Sequence, residues 1–285
     1  MKKLKAFWYV FRKSLFDVDY YKDILKIRRD FSLKYFFTLA LSASLIATVR
    51  FAVPNVPKIK DGMNNLITEL SKVYPDDLVI TAEGGVWEIN KEEPFVIPNP
   101  DIFEMEEGTD FPKNLVVFDH NGTINDLEEM DTFVVMNKVN MITVNSQNRI
   151  EAYPLDSIPD GELNKAVVLE AMDGLRDFTK FVPAMIISFI LIATLFYFAI
   201  FRLAYAFFVA LLLLAYGNIK GVKSSLGTYY KIAIHTMTLP LTIEVMFILM
   251  KAEIGYALWF FGFNLIFGIV VIQHLVNTKA FKEEK

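Results

Sequence analysis

Three ionisable residues sit where charge is expensive. Glu244, Arg202 and His235 each fall inside a long apolar run of this 285-residue chain. A carboxylate in hydrocarbon persists only if it is paired, protonated or facing water, so Glu244 needs a partner, and Arg202 and His235 are the cationic groups available to it. Such a constellation has two uses: it can hold helices together as a buried pair, or it can pass an ion or proton or contact a ligand within the membrane. Asn264, in the last apolar run, reads instead as a hydrogen bond between helices.

Outside the apolar runs, the densest chemistry is Asp119-His120-Asn121-Gly122-Thr123, which follows Val116-Val117-Phe118. This resembles the first motif of haloacid-dehalogenase-type phosphatases, a hydrophobic strand and then Asp-x-Asp-Gly-Thr. In that family the first Asp becomes phosphorylated and the second handles the leaving-group proton. Asn121 stands at the second position and cannot do so. The same residues also read as a type I′ hairpin turn, since Asn-Gly accepts positive φ at both central positions, and Asn121-Gly122-Thr123 is a glycosylation sequon. Acidic runs at Asp101, Glu104, Glu106, Glu107 and Asp110, and at Asp126, Glu128, Glu129 and Asp131, lack the calcium-loop spacing and read as solvated loops. No nucleotide-binding loop, zinc motif or triad pattern occurs. The sequence therefore assigns no catalytic residue, no metal ligand and no cofactor, and nothing in it points to nucleic acid.

The elements that must position these groups are set by composition. Hydrophobic residues make up 54% of the chain, above the 45 to 50% usual for soluble domains. The excess is concentrated at residues 35–53, 181–216, 232–250 and 254–276. Each run is long enough, at about 1.5 Å per residue, to cross a hydrocarbon core of about 30 Å. The formal net charge of -4 hides a partition: residues 1–34 carry ten Lys and Arg against four acids, whereas residues 54–180 carry ten against twenty-five. Basic flanks belong in the cytoplasm, so the arm at 1–34 is expected inside and the acidic segment, one crossing later, outside. There is no cysteine, so the outer segment must bury a core of its own.

In chain order, Leu4, Trp8, Phe11 and Leu15 form a helical stripe opposed by Lys3, Lys5, Arg12 and Lys13. This predicts an amphipathic helix, either lying in the inner interface or packed on the cytoplasmic ends of the spans. The run at 35–53 reads as a signal anchor whose preceding arm is retained. A helix over about 56–73 opens the outer segment. Strand patterns follow, with Glu83-Gly84-Gly85 marking a hairpin, and together they predict a small antiparallel sheet with helices at both ends. From about Ala166 a helical pattern is expected to run unbroken into the next span.

Residues 181–216 pose a topology question. As one helix they would be about 54 Å long and need a tilt near 56°, beyond the usual range of 0 to 40°. The expectation is therefore a reversal at Arg202, giving about five spans, with a re-entrant arm at 203–216 as the rival arrangement. Residues 218–231 read as a polar connector ending in an interfacial pair, Tyr229-Tyr230, and Pro240 predicts a kink.

Several short stretches together are similar to a bacterial membrane family, the domain of unknown function eleven eighty-nine. They are Lys13-Ser14-Leu15-Phe16-Asp17, Tyr20-Tyr21, Tyr74-Pro75-Asp76-Asp77-Leu78-Val79-Ile80, Val116-Val117-Phe118-Asp119 and Thr238-Leu239-Pro240-Leu241. Some members carry the label of maltodextrin-utilisation membrane proteins, and a distant relation to five-span Yip-type proteins is implied. The resemblance implies a fold plan and no activity.

The expectation is an α+β membrane protein of about five transmembrane helices, with the acidic extracytoplasmic domain (54–180) inserted between the first span (35–53) and a C-terminal helix bundle (181–278), and a charged tail at 279–285. Its expected role is a non-enzymatic binding or interaction module in the plasma membrane. Its partners would be the lipid bilayer and another membrane or envelope protein. The alternative is a transporter or transport accessory using Glu244, Arg202 and His235.

Overall fold

The computed structural model describes residues 2–100, 111–145, 147, 149–157, 159–252 and 258–282. The acidic run from Asp101 to Asp110 lies outside the described residues. The chain divides into two compact units, Met1–Val56 with Ala184–Lys285, and Pro57–Pro183.

The first unit is helical. It contains α1 (Lys2–Phe16), α2 (Tyr21–Lys26), the first part of α3 (Arg29–Val73), α6 (Val182–Phe196) from Ala184 on, α7 (Arg202–Ile219), α8 (Leu226–Thr236), α9 (Thr238–Met250) and α10 (Leu258–Asn277). Among the described residues, four helical stretches are long and apolar enough to cross a membrane: Arg29–Val73, Val182–Ile219, Leu226–Met250 and Phe260–Asn277. Their shared core is built from Phe36, Leu39, Ala40, Ala43, Ala206, Val209, Ala210, Leu213, Ile232, Ala233, Val271 and Leu275. The alanines recur because helices in lipid approach by van der Waals packing and need small residues at the contact. By contrast α6 buries none of its side chains, as expected of a surface solvated by acyl chains.

The expected reversal at Arg202 does not occur. Between α6 and α7 the backbone stays helical through a π-helical segment, Tyr197–Phe201, and continues past Arg202 to Ile219. No glycine or proline lies between Pro183 and Gly217 to end the helix near Arg202, and Arg202 has no need to reach an interface because a carboxylate meets it in the interior. Among the described residues four helices of membrane-spanning length are thus found, where about five spans were expected.

The unbroken helix expected from Ala166 into the span is in fact interrupted. The helix α5 (Lys165–Thr179), capped by Asn164 accepting the Val167 amide at 3.1 Å, ends before a turn at Lys180 and Phe181. Pro183 explains this: it has no N–H to give the Thr179 carbonyl, so the hydrogen-bond ladder of α5 cannot run on into α6. Pro240 acts similarly, in the first turn of α9, just after the break at Met237. Tyr229 is fully buried within the helical unit. The α1 helix packs on the bundle through Phe7, Val10, Phe11 and Ser14, a face rotated from the predicted stripe, and leaves Leu4 and Trp8 exposed.

The second unit is α+β. Strands β1 (Ile80–Glu83), β2 (Val86–Ile89) and β8 (Gly161–Leu163) form one sheet in the order β2-β1-β8. The other sheet has the order β3-β4-β5-β6-β7, from β3 (Phe95–Pro98), β4 (Asn114–Phe118), β5 (Thr132–Met136), β6 (Asn140–Val144) and β7 (Ile150–Pro154). Gly84 and Gly85, both at positive φ, turn β1 into β2 as expected. Among the described residues the ladders are antiparallel except β4 with β5, which is parallel. Parallel neighbours need a crossover, and the chain makes one through the short helix α4 (Asp126–Glu129). The expected Asn121-Gly122 hairpin is therefore absent. Gly122 is required for another reason: a Cβ there would stand 2.7 Å from Val135 Cγ1 and 2.9 Å from the Asp119 carbonyl. Tyr74, Leu78, Trp87, Ile97, Phe118 and Leu155 form the core of this unit.

Candidate functional site

The three groups singled out by their charge do not all meet. Arg202, on α7, and Glu244, on α9, form a salt bridge in the bundle interior, with side chains 4% and 8% exposed. One guanidinium nitrogen, Nη2, donates to Glu244 Oε2 and also to the Tyr197 hydroxyl at 2.8 Å, and that hydroxyl donates to Glu244 Oε1 at 2.9 Å. The three side chains close a ring of charge-assisted hydrogen bonds, the strong class. Around it the guanidinium faces three aromatic rings, with centroid distances of 5.1 Å to Tyr197, 5.8 Å to Tyr205 and 4.9 Å to Phe260. Such faces attract a cation, and more strongly when water is excluded.

Tyr197 is the member that periodicity misses. Residues five apart do not share a face of an α-helix, so Tyr197 and Arg202 look unrelated on a helical wheel. The π-helical turn between them changes the repeat to i→i+5 and lets both side chains reach Glu244. One atom of the cluster is left over: Arg202 Nε is buried with no hydrogen-bond partner among the described residues. Beside it is a cavity of about 10 Å³, lined by Arg202, Tyr205, Met237, Pro240, Leu241, Phe260, Phe261 and Asn264, a volume on the order of a single water.

His235 belongs to a different cluster, on α8, across the break at Met237 from Glu244 on α9. Its ring is fully buried. Nδ1 lies 3.1 Å from Ser14 Oγ and Nε2 lies 3.2 Å from Ser32 Oγ, so a neutral ring donates to one serine and accepts from the other. Tyr35 stacks on it at 4.9 Å and nearly parallel, and the Tyr35 hydroxyl meets Thr238 Oγ1 at 2.9 Å. This second cluster ties α1, α3, α8 and α9 together through neutral groups. Asn264 makes the expected interhelical bonds, accepting from Thr236 Oγ1 at 2.6 Å and donating to the Ala233 carbonyl at 3.3 Å.

In the second unit, Asp119 Oδ1 accepts the Asn121 amide at 2.8 Å, within its own loop. His120 is held by Glu93 at 2.5 Å and by the Trp87 carbonyl at 2.9 Å, and stacks on the Trp87 ring at 4.3 Å. Asp126 accepts the Thr123 amide at 2.5 Å and hydroxyl at 3.0 Å. These polar groups are spent on holding the β4 to β5 crossover.

The arrangement of buried polar groups in an apolar bundle, joined to a small α+β unit, can be set beside known families. A family model described as a protein of unknown function, DUF1189, matches residues 8–275. The chain belongs to the DUF1189 family. Comparison with curated proteins and with solved structures gave no match. Within this DUF1189 chain the matched region takes in Arg202, Glu244, Tyr197, His235 and both serines. The membership carries a membrane-compatible helical plan and no activity.

Proposed function

We propose that this chain is a four-span membrane protein whose acidic segment, residues 54–180, stands outside the cytoplasm as a non-enzymatic binding module. Its ligand is a partner protein, a cell-envelope component or a small solute. One observation carries the reading. Lys231 Nζ donates to the carbonyls of Leu25 at 2.7 Å and Ile27 at 2.9 Å, and His274 Nε2 lies 3.0 Å from Asp19 Oδ1. The N-terminal arm, the first half of α8 and the end of α10 thus meet at one end of the bundle. That arrangement fits an even number of crossings, and the basic residues of the arm assign that end to the cytoplasm. A non-enzymatic role is supported by the structural engagement of Asp119, His120 and Asp126.

Cysteine accessibility tests the placement against a chain with no native cysteine. Glu83→Cys should react with a membrane-impermeant maleimide on intact cells, and Lys223→Cys and Thr278→Cys only after permeabilisation. Labelling of Lys223→Cys on intact cells would refute the four-span reading.

A second reading, a transporter or transport accessory, is favoured by the π-helical segment beside the Arg202 and Glu244 pair, because such segments recur at functional sites. In proteoliposomes carrying a pH-sensitive dye, Glu244→Gln would then abolish a proton flux that the wild type supports. Equal traces for the two would end this reading.

A further inference from the structure

At the end of the bundle that carries Lys231 there is a cavity of about 450 Å³, lined by Ile27, Arg28, Arg29, Asp30, Ser225, Gly227, Thr228 and Lys231. Three cationic side chains and one carboxylate share its wall, so it holds excess positive charge. Two details distinguish it from a chance group of surface bases. Lys231 is only 6% exposed and is fixed by the Leu25 and Ile27 carbonyls, so its charge cannot swing away into water. The Arg29 guanidinium is seated flat against Gly227: a Cβ on that residue would stand 2.0 Å from Nη2, 2.3 Å from Cζ and 2.4 Å from Nε. Only the missing side chain at 227 allows the guanidinium to rest there.

We propose that this cavity binds a phosphate group through Arg29, Arg28 and Lys231. Planar guanidinium groups match phosphate oxygens in pairs, and a fixed ammonium adds a point charge behind them. The volume suits a group of headgroup or small-metabolite size. Its position, just before the apolar run of α3 begins, puts it at the level of lipid headgroups, and basic pockets between helices are known to take anionic ones. The same chemistry would hold a soluble phosphate compound. Neither the phosphate assignment nor its test depends on which side of the membrane this end faces.

The experiment uses the purified full chain in detergent. In one arm, micelles are doped with phosphatidylglycerol or with phosphatidylcholine and bound lipid is counted by native mass spectrometry. In the other, inorganic phosphate is titrated and protection against thermal unfolding is followed. Arg29→Gln removes the paired donor, and Gly227→Ala places a methyl where the guanidinium sits. Alanine is well tolerated in a helix, so the second variant should melt with the wild type. Each should weaken binding about tenfold, the loss expected for one charge-assisted hydrogen bond. Phosphatidylglycerol adducts that exceed phosphatidylcholine adducts and fall in both variants identify a lipid headgroup. Phosphate protection that falls in both variants, without lipid selectivity, identifies a soluble ligand. Both effects together show a site that takes phosphate from either source. Absence of both effects, or binding unchanged in the two variants, overturns the proposal.

Discussion

Removal of the Glu244 carboxylate is the most direct test of the buried cluster. In Glu244→Leu, Arg202 keeps its charge at 3% exposure and loses its only carboxylate partner among the described residues. Breaking one side of a buried pair costs about 3 to 5 kcal/mol, whereas replacing both partners by apolar residues is often neutral. The unfolded chain in a micelle also finds partners for its polar groups, which pulls the measured value toward the lower figure. Glu244→Gln should cost less, about 1 to 3 kcal/mol, because its amide oxygen still accepts from Arg202 while its NH2 can donate to the Tyr197 hydroxyl, without the charge. The double variant Arg202→Leu with Glu244→Leu should recover most of the loss. The assay is unfolding of the purified chain in mixed micelles of increasing dodecyl sulfate content, followed by helical circular dichroism. A double-variant cycle then gives a coupling energy of about 2 kcal/mol or more. Single variants within about 0.5 kcal/mol of wild type, or losses that simply add, would refute the reasoning.

Other positions give independent checks. His235→Phe leaves the hydroxyls of Ser14 and Ser32 without their ring partner and should cost about 1 to 3 kcal/mol in the same titration, with Ser14→Ala and Ser32→Ala added to it restoring part of the loss. Trp87→Ala removes the largest side chain from the core of the second unit, together with its 2.6 Å bond to the Asn137 carbonyl. A loss of about 3 to 5 kcal/mol is expected, seen as faster proteolysis within residues 57–183. Gly122→Ala should destabilise that unit by about 1 to 3 kcal/mol through overpacking against Val135, and Val135→Ala should relieve some of it. A glycine needed for positive φ would show no such relief.

How much of this was readable in the sequence depends on whether the signal was local. The hairpin at Gly84-Gly85 and the break at Pro240 were legible because each follows from the φ preference of one or two residues. The pairing of Arg202 with Glu244 was legible as a demand, since each charge in lipid requires the other. The reversal assigned to Arg202 rested on length alone, because one helix over residues 181–216 exceeds the thickness of a bilayer, whereas the backbone stays helical there and Arg202 remains inside against Glu244 on another helix. Tyr197 was invisible because its place depends on a π turn, a departure from the very period used to read helices. The parallel β4–β5 ladder was missed for a similar reason. Asn-Gly is the strongest short hairpin signal, but the packing of Gly122 under Val135 selected a crossover. His235 was offered to Glu244 by its place in the sequence, whereas the residues it meets, Ser14 and Ser32, are small polar groups with no periodic signature.

The separation of 42 positions from Arg202 to Glu244 also has a meaning in time. Chains grow at about 5 to 20 residues per second, so in the proposed four-span arrangement Arg202 would enter the membrane about 2 to 8 s before its carboxylate has been made. During that interval an unpaired arginine must be carried by the apolar residues on both sides of it. An arginine at mid-helix opposes insertion by about 2.5 to 3.5 kcal/mol, and each Leu, Ile, Phe or Val returns about 0.3 to 0.6 kcal/mol. The unusual length and apolarity of Val182–Ile219 can therefore be understood as provision for a wait. Ser14, whose histidine lies 221 residues further on, waits about 11 to 44 s on the same clock. The N-terminal arm is then among the last parts of the bundle to find its place.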